Sequence, residues 1–250
     1  RFGPAAEFLQ FAITPANNAV IMFAMIAMLL VLLPRGFPAK SLAPVLLLPL
    51  LWPAPERPPK GNAAITVFDV GQGLAVLVQT NRHTLLFDTG AGDRESSLAS
   101  SVLVPALNKA QIRQLDMLMV SHGDNDHAGG VDAIMANLGV VRVVSGQTSS
   151  IADEPCRAGQ HWQWDLVQFE VLHPVARQYS SANNQSCVLR ISANEQALLL
   201  PGDIESGVER NLVLQFGDKL QSDILVAPHH GSNTSSGYPF SADTNTYEVV

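Results

Sequence analysis

The amino-acid sequence predicts a layered α/β domain that carries its site along one edge. Two observations lead to this class of fold. From about residue 64 onward, short apolar runs with the spacing of strands alternate with stretches that have the spacing of helices. Polar clusters rich in histidine and aspartate occur only where predicted strands end. Because strand ends collect at the edges of layered sheets, we expect these clusters to meet at one edge.

The first 52 residues follow a different pattern from the rest of the chain. Residues 19–33 are fifteen apolar residues without a charge, and residues 42–52 are a second apolar run that Pro44 and Pro49 interrupt. A helix that spans a membrane needs roughly 20 apolar residues, so both runs are short. We interpret residues 1–52 as the terminal membrane segments of a truncated channel domain, with a buried hairpin as the alternative.

Residues 53–60 are expected to be a stiff linker, because four of the first seven are proline. The main domain is then expected at residues 61–250. If both apolar runs span a membrane, the short connection with Arg35 and Lys40 lies on the cytoplasmic side. This orientation predicts a protein of the inner (cytoplasmic) membrane whose main domain is extracytoplasmic, in the periplasm. The chain begins with Arg1, and we expect it to be part of a longer protein.

The composition limits the ways in which this chain can hold a partner. The formal net charge is −7, and from residue 61 onward ten Lys and Arg stand against twenty Asp and Glu. A protein that holds nucleic acid by its phosphates needs a basic stripe, which this composition does not provide. Cys156 and Cys187 are the only two cysteines, so a zinc site built on thiolates is not expected. Both a disulfide and two buried thiols are compatible with the sequence.

The main domain opens with a strand pattern. Three apolar runs are separated by Gly71-Gln72-Gly73 and by Asn81-Arg82, which is the spacing of a meander of hairpins. A helix with apolar residues on one face follows, and then the strand that leads into the largest polar cluster. The predicted strands are 65–70, 75–80, 84–87 and 115–120, and the predicted helices are 98–110 and 131–138.

The second half repeats this alternation of strands and helix. Trp162 and Trp164 alternate at period two, which favours packing on one sheet face over a platform for stacking bases. His83, His161 and His173 lie outside the polar clusters, and we expect no catalytic role for them. The predicted strands are 140–144, 162–164, 167–172, 188–191, 197–200 and 224–227, and the predicted helix is 208–216.

The most informative stretch is the motif His-x-Asp-x-Asp-His-x-Gly-Gly at residues 122–130, directly after a predicted buried strand. It brings together two imidazoles and two carboxylates, from His122, Asp124, Asp126 and His127. A mixed set of nitrogen and oxygen donors suits zinc, manganese or iron better than calcium or magnesium. Without a cation, carboxylates this close together would repel each other. We therefore predict a metal site here, against the alternative of a polar surface loop.

This motif resembles the first metal motif of the metallo-β-lactamase-like hydrolases, whose commoner form is His-x-His-x-Asp-His. Asp124 stands here in place of the second histidine. The whole series of motifs is similar to the C-terminal hydrolase domain of ComEC-type DNA-uptake channels, over about residues 20–240. That resemblance implies a four-layer αββα sandwich with the metals at one edge. The other motifs of the series are Val70-Gly71-Gln72-Gly73, Phe87-Asp88-Thr89-Gly90, Asn183-Asn184-Gln185-Ser186, Leu200-Pro201-Gly202-Asp203 and Pro228-His229-His230-Gly231-Ser232.

The resemblance implies a site for one or two divalent ions, manganese or zinc. His122 and Asp124 would lie at the first metal position, and Asp126 and His127 at the second. Asp203 would bridge the two ions.

The paired histidines His229 and His230 would supply the remaining ligand of the second position. His230 is favoured, because the family's ligand directly precedes a glycine, as His230 does. The family usually has another histidine near Asn183, where this sequence has Asn183-Asn184. Fewer imidazoles shift the preference from zinc toward manganese, or leave the first position weak.

Further residues are expected to support the chemistry. Asp126 would orient the attacking water and receive its proton, with Asp124 as the second catalytic carboxylate. By resemblance, Asp88 would accept hydrogen bonds beneath the metal loop, although an ordinary turn aspartate fits the sequence equally well. Asn183 is expected in a similar supporting position. The residues expected to hold the oxygens of the substrate, unless they only cap turns, are Asn184, Ser186 and Ser232.

The favoured interpretation is a metal-dependent phosphodiesterase or nuclease that acts on DNA at a competence DNA-uptake channel, with other competence proteins as partners. One alternative is a metallo-hydrolase of an ester, amide or lactam unrelated to nucleic acid. Another is a non-catalytic, membrane-tethered binding module. The family usually continues after Ser236 through another strand and helix, whereas residues 237–250 are short and polar. We therefore expect one sheet to lack an edge strand.

Overall fold

In the computed structural model, the described residues are 18–34, 36–51, 57–92, 97–147, 152–175, 179–237, 240, 244 and 248–249. Their contacts divide the chain into two compact units, Arg1–Glu56 and Arg57–Val250, and the division falls inside the predicted linker. The second unit carries all of the motifs that predict the site.

The first unit contains two apolar helices joined through a 3₁₀ turn. They are α1 (Asn18–Leu32), the 3₁₀ turn (Pro38–Leu42) and α2 (Ala43–Leu51). Ala27 and Ala43 are buried, whereas large apolar side chains such as Met28 are exposed. Across the described residues, no helix combines the length and the apolar character needed to cross a membrane. The predicted membrane segments therefore stay a prediction, and their residues 1–17, 35 and 52 lie outside the described part.

The second unit begins with a six-stranded mixed sheet. Its strands are β1 (Ala64–Val67), β2 (Val76–Gln79), β3 (Thr84–Phe87), β5 (Met117–Val120), β7 (Val143–Ser145) and β8 (Glu154–Pro155). They lie side by side in this order. The predicted meander is present, since β1, β2 and β3 pair antiparallel. The remaining pairs are parallel, so β3 and β5 both end at the same edge of the sheet.

The second sheet also has six strands. They are β9 (His161–Trp164), β10 (Val167–His173), β11 (Val188–Ala193), β12 (Gln196–Leu200), β13 (Ile224–Leu225) and β14 (Glu248–Val249). The strands from β9 to β12 are antiparallel, and β12, β13 and β14 are parallel. The prediction of a missing edge strand is wrong, because β14 covers the edge of β13. A strand of two residues is too short to give a periodic signal.

Three apolar cores define four layers. Alternate residues of each strand point to opposite faces. Phe87 and Phe169 therefore meet in a core between the two sheets, together with Trp162 and Trp164 at its margin. Leu77, on the other face of β2, packs in a second core against helices on the outside of the first sheet. A third core lies between the second sheet and its outer helix. The predicted αββα arrangement is confirmed.

The helices and short strands refine the predicted boundaries. The predicted helix 98–110 begins as a wider π-helix at Ala99–Leu103. Pro105 follows in the next turn, and it has no N–H to donate to the carbonyl four residues earlier. Cys156 and Cys187 form a disulfide, which joins the end of β8 to the start of β11. The remaining elements are the π-helix Ala99–Leu103, α3 (Val104–Lys109), β4 (Gln114–Leu115), α4 (Asn125–Ala128), α5 (Val131–Asn137), β6 (Gly139–Val140) and α6 (Ser206–Phe216), with 3₁₀ turns at Asn183–Gln185, Gly217–Leu220 and Pro228–Gly231.

Candidate metal centre

The polar clusters meet in one cleft at an edge where both sheets deliver strand ends. The loop after β5 carries the motif at residues 122–130, the loop after β12 carries Asp203, and the loop after β13 carries His229 and His230. The cleft has a volume of about 330 Å³. Its lining residues are Gln72, Asp124, Asp126, Asn183, Asp203, His229, His230 and Ser232.

Four donors converge at the base of this cleft. One donor atom each from Asp126, His127, Asp203 and His230 lies within 4.8 Å of all the others. The Nε2 atom of His127 is 3.1 Å from Asp203 Oδ1 and 3.2 Å from His230 Nε2. Donors at about 2.0–2.2 Å from a tetrahedral ion lie roughly 3.3–3.6 Å apart. The spacing and the donor types therefore fit a single divalent ion.

Asp88 fixes the orientation of the His127 ring through Nδ1, on the side of the ring away from the other donors. Its carboxylate is fully buried and accepts hydrogen bonds from the Ser121 N–H at 2.6 Å and the Ser121 hydroxyl at 2.7 Å. The same carboxylate lies 2.7 Å from Nδ1 of His127, which is also fully buried. Because Nδ1–H donates to Asp88, Nε2 is the ring nitrogen that faces the other donors of the cleft.

The pKa values at the base of the cleft show an excess of negative charge. Burial lowers the pKa of His127, but Asp88 and Asp203 outweigh burial and raise this pKa to about 10. Burial raises the pKa of Asp203, but the hydrogen bond from His127 and the positive charges of His127, His122 and His230 together outweigh burial and hold that pKa below its usual value. A proton on His127 thus occupies the position between carboxylates that a divalent ion would take, so binding of the ion would displace this proton.

His122 provides a second, less complete set of donors. Its Nδ1 atom is 3.0 Å from the Ser121 hydroxyl, which itself donates to Asp88. Among the described residues the Nε2 atom, which is buried, has no hydrogen-bond partner, and Asp124 Oδ2 is 3.4 Å away. Burial, followed by the nearby His127, lowers the pKa of His122. A buried neutral imidazole with an unused lone pair fits a metal ligand, but the Asp124 side chain beside it is 49% exposed.

The paired histidines lie on a strained turn. His229, His230 and Gly231 have φ values of 48°, 51° and 72°, in the left-handed region that side chains disfavour. His230, the member of the pair that the family resemblance favours, has its Nε2 3.3 Å from Asp126 Oδ2 and is one of the four convergent donors. His229 Nε2 lies 4.0 Å from Asp203 Oδ2 and 3.3 Å from the Asn183 amide nitrogen.

Two of the residues predicted to contact the substrate are placed elsewhere. Asn184 donates to the Glu205 carboxylate at 2.6 Å and accepts from the Glu205 N–H at 3.0 Å, so its amide is already paired. Ser186 is fully buried, and its hydroxyl accepts from the Asp203 N–H at 3.1 Å. The hydrogen bonds of both side chains therefore stabilise the loop that carries Asp203. Asn183, predicted as support, lines the cleft instead together with Ser232.

Some residues of the site are not among the predicted ligands or substrate contacts. Gln72 lines the cleft, and a Cβ on Gly73 would lie 2.3 Å from the Asp126 carbonyl oxygen. The glycines around Gln72 are the signal for this close approach, because glycine is needed where two backbones touch. Glu205 and Glu209 support loops of the site, but acidic residues near a helix start are too common to be diagnostic.

The other three histidines are not among the residues that line the cleft, within the part of the chain that the structure describes. His83 contacts Asp165, and His161 is exposed. His173 is buried, with its Nε2 2.9 Å from the Asn184 carbonyl oxygen.

The chain is similar to known proteins over most of its length. Residues 68–241 match the family model of the metallo-β-lactamase superfamily. Competence protein ComA of Neisseria gonorrhoeae is 43% identical over 233 residues, which cover 92% of this chain and 33% of the relative. Recombination protein 2 of Haemophilus influenzae is 34% identical over 69% of this chain and 22% of the relative. ComE operon protein 3 of Bacillus subtilis is 30% identical over 70% of this chain and 26% of the relative. The chain therefore spans a third or less of the length of these curated relatives.

Proposed function

Because the chain belongs to the metallo-β-lactamase superfamily of metal-dependent hydrolases, we propose that it hydrolyses phosphodiesters of DNA at a competence DNA-uptake channel. The observation that carries the proposal is the convergence of Asp126, His127, Asp203 and His230 within 4.8 Å at the base of an open cleft. The link to DNA uptake rests on the names of the relatives, two of which are a competence protein and a ComE operon protein.

Different residues of the cleft would bind the metal, orient the attacking water and contact the substrate. The four convergent donors would hold one ion, and His122, Asp124 and Asp203 would hold a second ion more weakly. A divalent ion would lower the pKa of a bound water toward neutrality and would polarise the ester that it faces. Asp126, whose side chain is 32% exposed, is open to the cleft and would orient the attacking water and receive its proton. Asn183 and Ser232 on the cleft wall would hold oxygens of the substrate.

The donor set also bears on which metal is bound. Two imidazole nitrogens and two carboxylate oxygens suit zinc. Manganese accepts the same donors, and it prefers carboxylate oxygen more strongly than zinc does. We propose zinc or manganese at the four-donor position, and manganese at the position of His122 and Asp124, which has fewer imidazoles.

We also propose that the first unit lies in the inner membrane and that the hydrolase unit is periplasmic. Helices α1 and α2 expose many large apolar side chains, including Leu29 at 64% and Leu32 at 72%. Apolar surface of this extent favours contact with lipid or with other membrane helices over contact with water. Other parts of the longer protein, or other competence proteins, would then hold the DNA that the acidic main domain attracts poorly. Flotation of the whole chain with phospholipid vesicles tests the membrane contact, since recovery of all protein in the vesicle-free fraction contradicts it.

The decisive experiment measures metal content and hydrolysis together. Purified protein is analysed for zinc and manganese, and then incubated with single-stranded DNA, duplex DNA and bis-p-nitrophenyl phosphate after loading with each metal. We expect at least one ion per chain and cleavage that a chelator stops. Fewer than one ion per chain, with no cleavage after loading, would instead favour the non-catalytic binding module.

A specific observation favours one other hydrolytic function. The residues that line the cleft include three aspartates and neither lysine nor arginine, within the part of the chain that the structure describes. Such a cleft is suited to a neutral carboxylic ester, amide or lactam, since no side-chain cation there attracts a phosphate. Turnover of an uncharged lactam or of a p-nitrophenyl carboxylic ester in place of DNA would select this alternative.

A further inference from the structure

Glu209 is a buried carboxylate that lies outside the cleft and has no part in the chemistry described above. It lies in the first turns of α6, and the residue is only 1% exposed. Its Oε1 atom accepts a hydrogen bond from the Ser236 N–H at 2.5 Å, and its Oε2 atom accepts one from the Gly237 N–H at 2.9 Å. Both oxygens thus hold the backbone of a segment that follows the paired histidines.

The same segment is tied to the histidines by a short series of hydrogen bonds. The Ser235 hydroxyl donates to the Pro228 carbonyl at 2.8 Å, and the Ser232 N–H donates to the His229 carbonyl at 2.8 Å. The Thr234 carbonyl accepts from the Ser206 N–H at 2.9 Å, so the start of α6 holds the segment at a second point. Residues 228–237 therefore form one closed loop that is fastened to α6.

This loop needs to be held because its backbone is strained. His229, His230 and Gly231 are consecutive left-handed residues, and Ser236 is a fourth, with φ of 59°. An L-amino acid disfavours this region, so the segment would relax to other conformations if its hydrogen bonds were lost. Relaxation would move His230 Nε2 away from the Asp126 and Asp203 carboxylates, which lie 3.3 Å and 3.6 Å from it.

We propose that Glu209 is a positioning residue that holds the His229–His230 loop in the conformation that binds metal. The inference rests on the proposed function, because it assigns His230 to the metal. The competing explanation is that Glu209 only stabilises α6 and the packing around it. The two explanations differ in one respect: positioning changes the affinity for metal, whereas a purely structural role changes only the stability of the fold.

The test compares Glu209→Gln with a matched control, Asp165→Asn. Glutamine keeps the size of the side chain, but one of the two backbone N–H groups then faces an amide NH₂. Asp165 is also a largely buried carboxylate that accepts from a backbone N–H, that of Arg82 at 2.8 Å, but it lies at the opposite end of β3 from the cleft. Zinc affinity is measured by competition with a chromophoric chelator, and Tm is measured on the metal-free proteins.

We expect Glu209→Gln to weaken zinc binding by about 10- to 100-fold, the range found when supporting partners of metal ligands are lost. Asp165→Asn should lower Tm and leave zinc affinity within about 2-fold of wild type. A Glu209→Gln protein that is less stable but binds zinc as tightly as wild type would overturn the inference. A wild-type protein that binds no zinc and no manganese would contradict the proposed function itself, so the two failures are distinguishable.

A second variant separates the two explanations even if Glu209→Gln is poorly folded. Glycine adopts φ of 59° without strain, so Ser236→Gly should relieve part of the need for the Glu209 carboxylate. We expect Ser236→Gly, added to Glu209→Gln, to recover several-fold of the lost zinc affinity. Recovery of Tm without recovery of zinc affinity would overturn the positioning role.

Discussion

Strand β3 carries a histidine–carboxylate pair at each of its ends, and the two pairs differ in what surrounds them. Asp88 follows the strand and pairs with His127 at 2.7 Å, with both side chains fully buried. His83 precedes the strand and pairs with Asp165 at 3.0 Å, with side-chain exposures of 34% and 7%. The chemistry of each pair is the same, yet the first belongs to the cleft and the second does not.

The surroundings of each imidazole ring, beyond its paired carboxylate, explain this difference. Nε2 of His127 faces Asp203 and His230, which arrive from the second sheet. The ring of His83 stacks on Trp164, with ring centroids 4.9 Å apart and planes 9° apart. At that end the Asp165 carboxylate also accepts hydrogen bonds from the Thr80 hydroxyl and the Arg82 N–H. The pair therefore connects the β2–β3 hairpin to the β9–β10 hairpin. A histidine–aspartate pair therefore becomes a metal site only where further donors converge on it.

Removal of a convergent donor should have the largest effect. We expect Asp126→Ala to lower phosphodiester turnover by at least about 10²–10⁴-fold, because the water loses its proton acceptor and the ion loses a ligand. Asp126 is partly exposed, so Tm of the metal-free protein should change little. Hydrolysis of bis-p-nitrophenyl phosphate measures the loss, and undiminished turnover would contradict the role of Asp126.

Neutralising the carboxylate behind His127 should have the next largest effect. In Asp88→Asn the side chain no longer supplies the negative charge that orients His127 and raises its basicity. We expect metal affinity to fall about 10- to 100-fold. Competition with a chelator gives the affinity, with Asp116→Asn as a control, since Asp116 also accepts a backbone N–H but outside the site. Equal affinities in the two variants would show that Asp88 is an ordinary turn aspartate.

A smaller loss of turnover should follow from a steric clash with the loop that carries residues 122–130. A Cβ at Gly73 would lie 2.3 Å from the Asp126 carbonyl, whereas a Cβ at Gly71 would meet no atom within 4 Å. Both glycines have positive φ, of 132° and 63°, so both substitutions introduce backbone strain. We expect Gly73→Ala to lower turnover by about 10²-fold through displacement of Asp126. Gly71→Ala should retain most of the activity, and equal losses would mean that strain rather than contact is responsible.

The smallest effect on activity should come from the other end of β3. Burial raises the pKa of Asp165, but hydrogen bonds from Thr80, His83 and Arg82 outweigh it and lower this pKa to about 2. A depressed carboxyl pKa stabilises the fold above the unfolded value of 3.8, and this stabilisation is lost as the pH falls toward 2.

We therefore expect Asp165→Asn to cost about 1–3 kcal/mol of the free energy of unfolding at pH 7, with turnover unchanged. The difference from wild type should shrink between about pH 4 and pH 2, which chemical denaturation at several pH values measures. A loss of turnover at pH 7 would contradict the distinction between the two ends of the strand.

The sequence predicts the layers well, because the alternation of strands and helices is a local pattern. Alternating apolar residues define the strands, and the motif at residues 122–130 follows a buried strand in the structure as predicted. The convergence of Asp203 and His230 on that motif came from the family resemblance, since local spacing contains no information about contacts 76 and 103 residues apart.

Other features depend on tertiary structure and were not predictable from the pattern. Asn184 and Ser186 are polar residues near the site, but only the 3₁₀ turn at Asn183–Gln185 decides which amide faces the cleft. Glu209 lies 27 residues before Ser236, and no sequence signal joins them. The edge strand β14 is too short for periodicity to reveal.

The disulfide between Cys156 and Cys187 has a consequence for how the cleft admits a substrate. It joins the two sheets beside the cleft, because the Cys187 N–H donates to the carbonyl of Ser121, the neighbour of His122. A covalent bond at this point prevents the two sheets from moving apart. The floor of the cleft then keeps its shape, and a substrate would reach the donors through the open side of the cleft, past Gln72 and His229 on its wall.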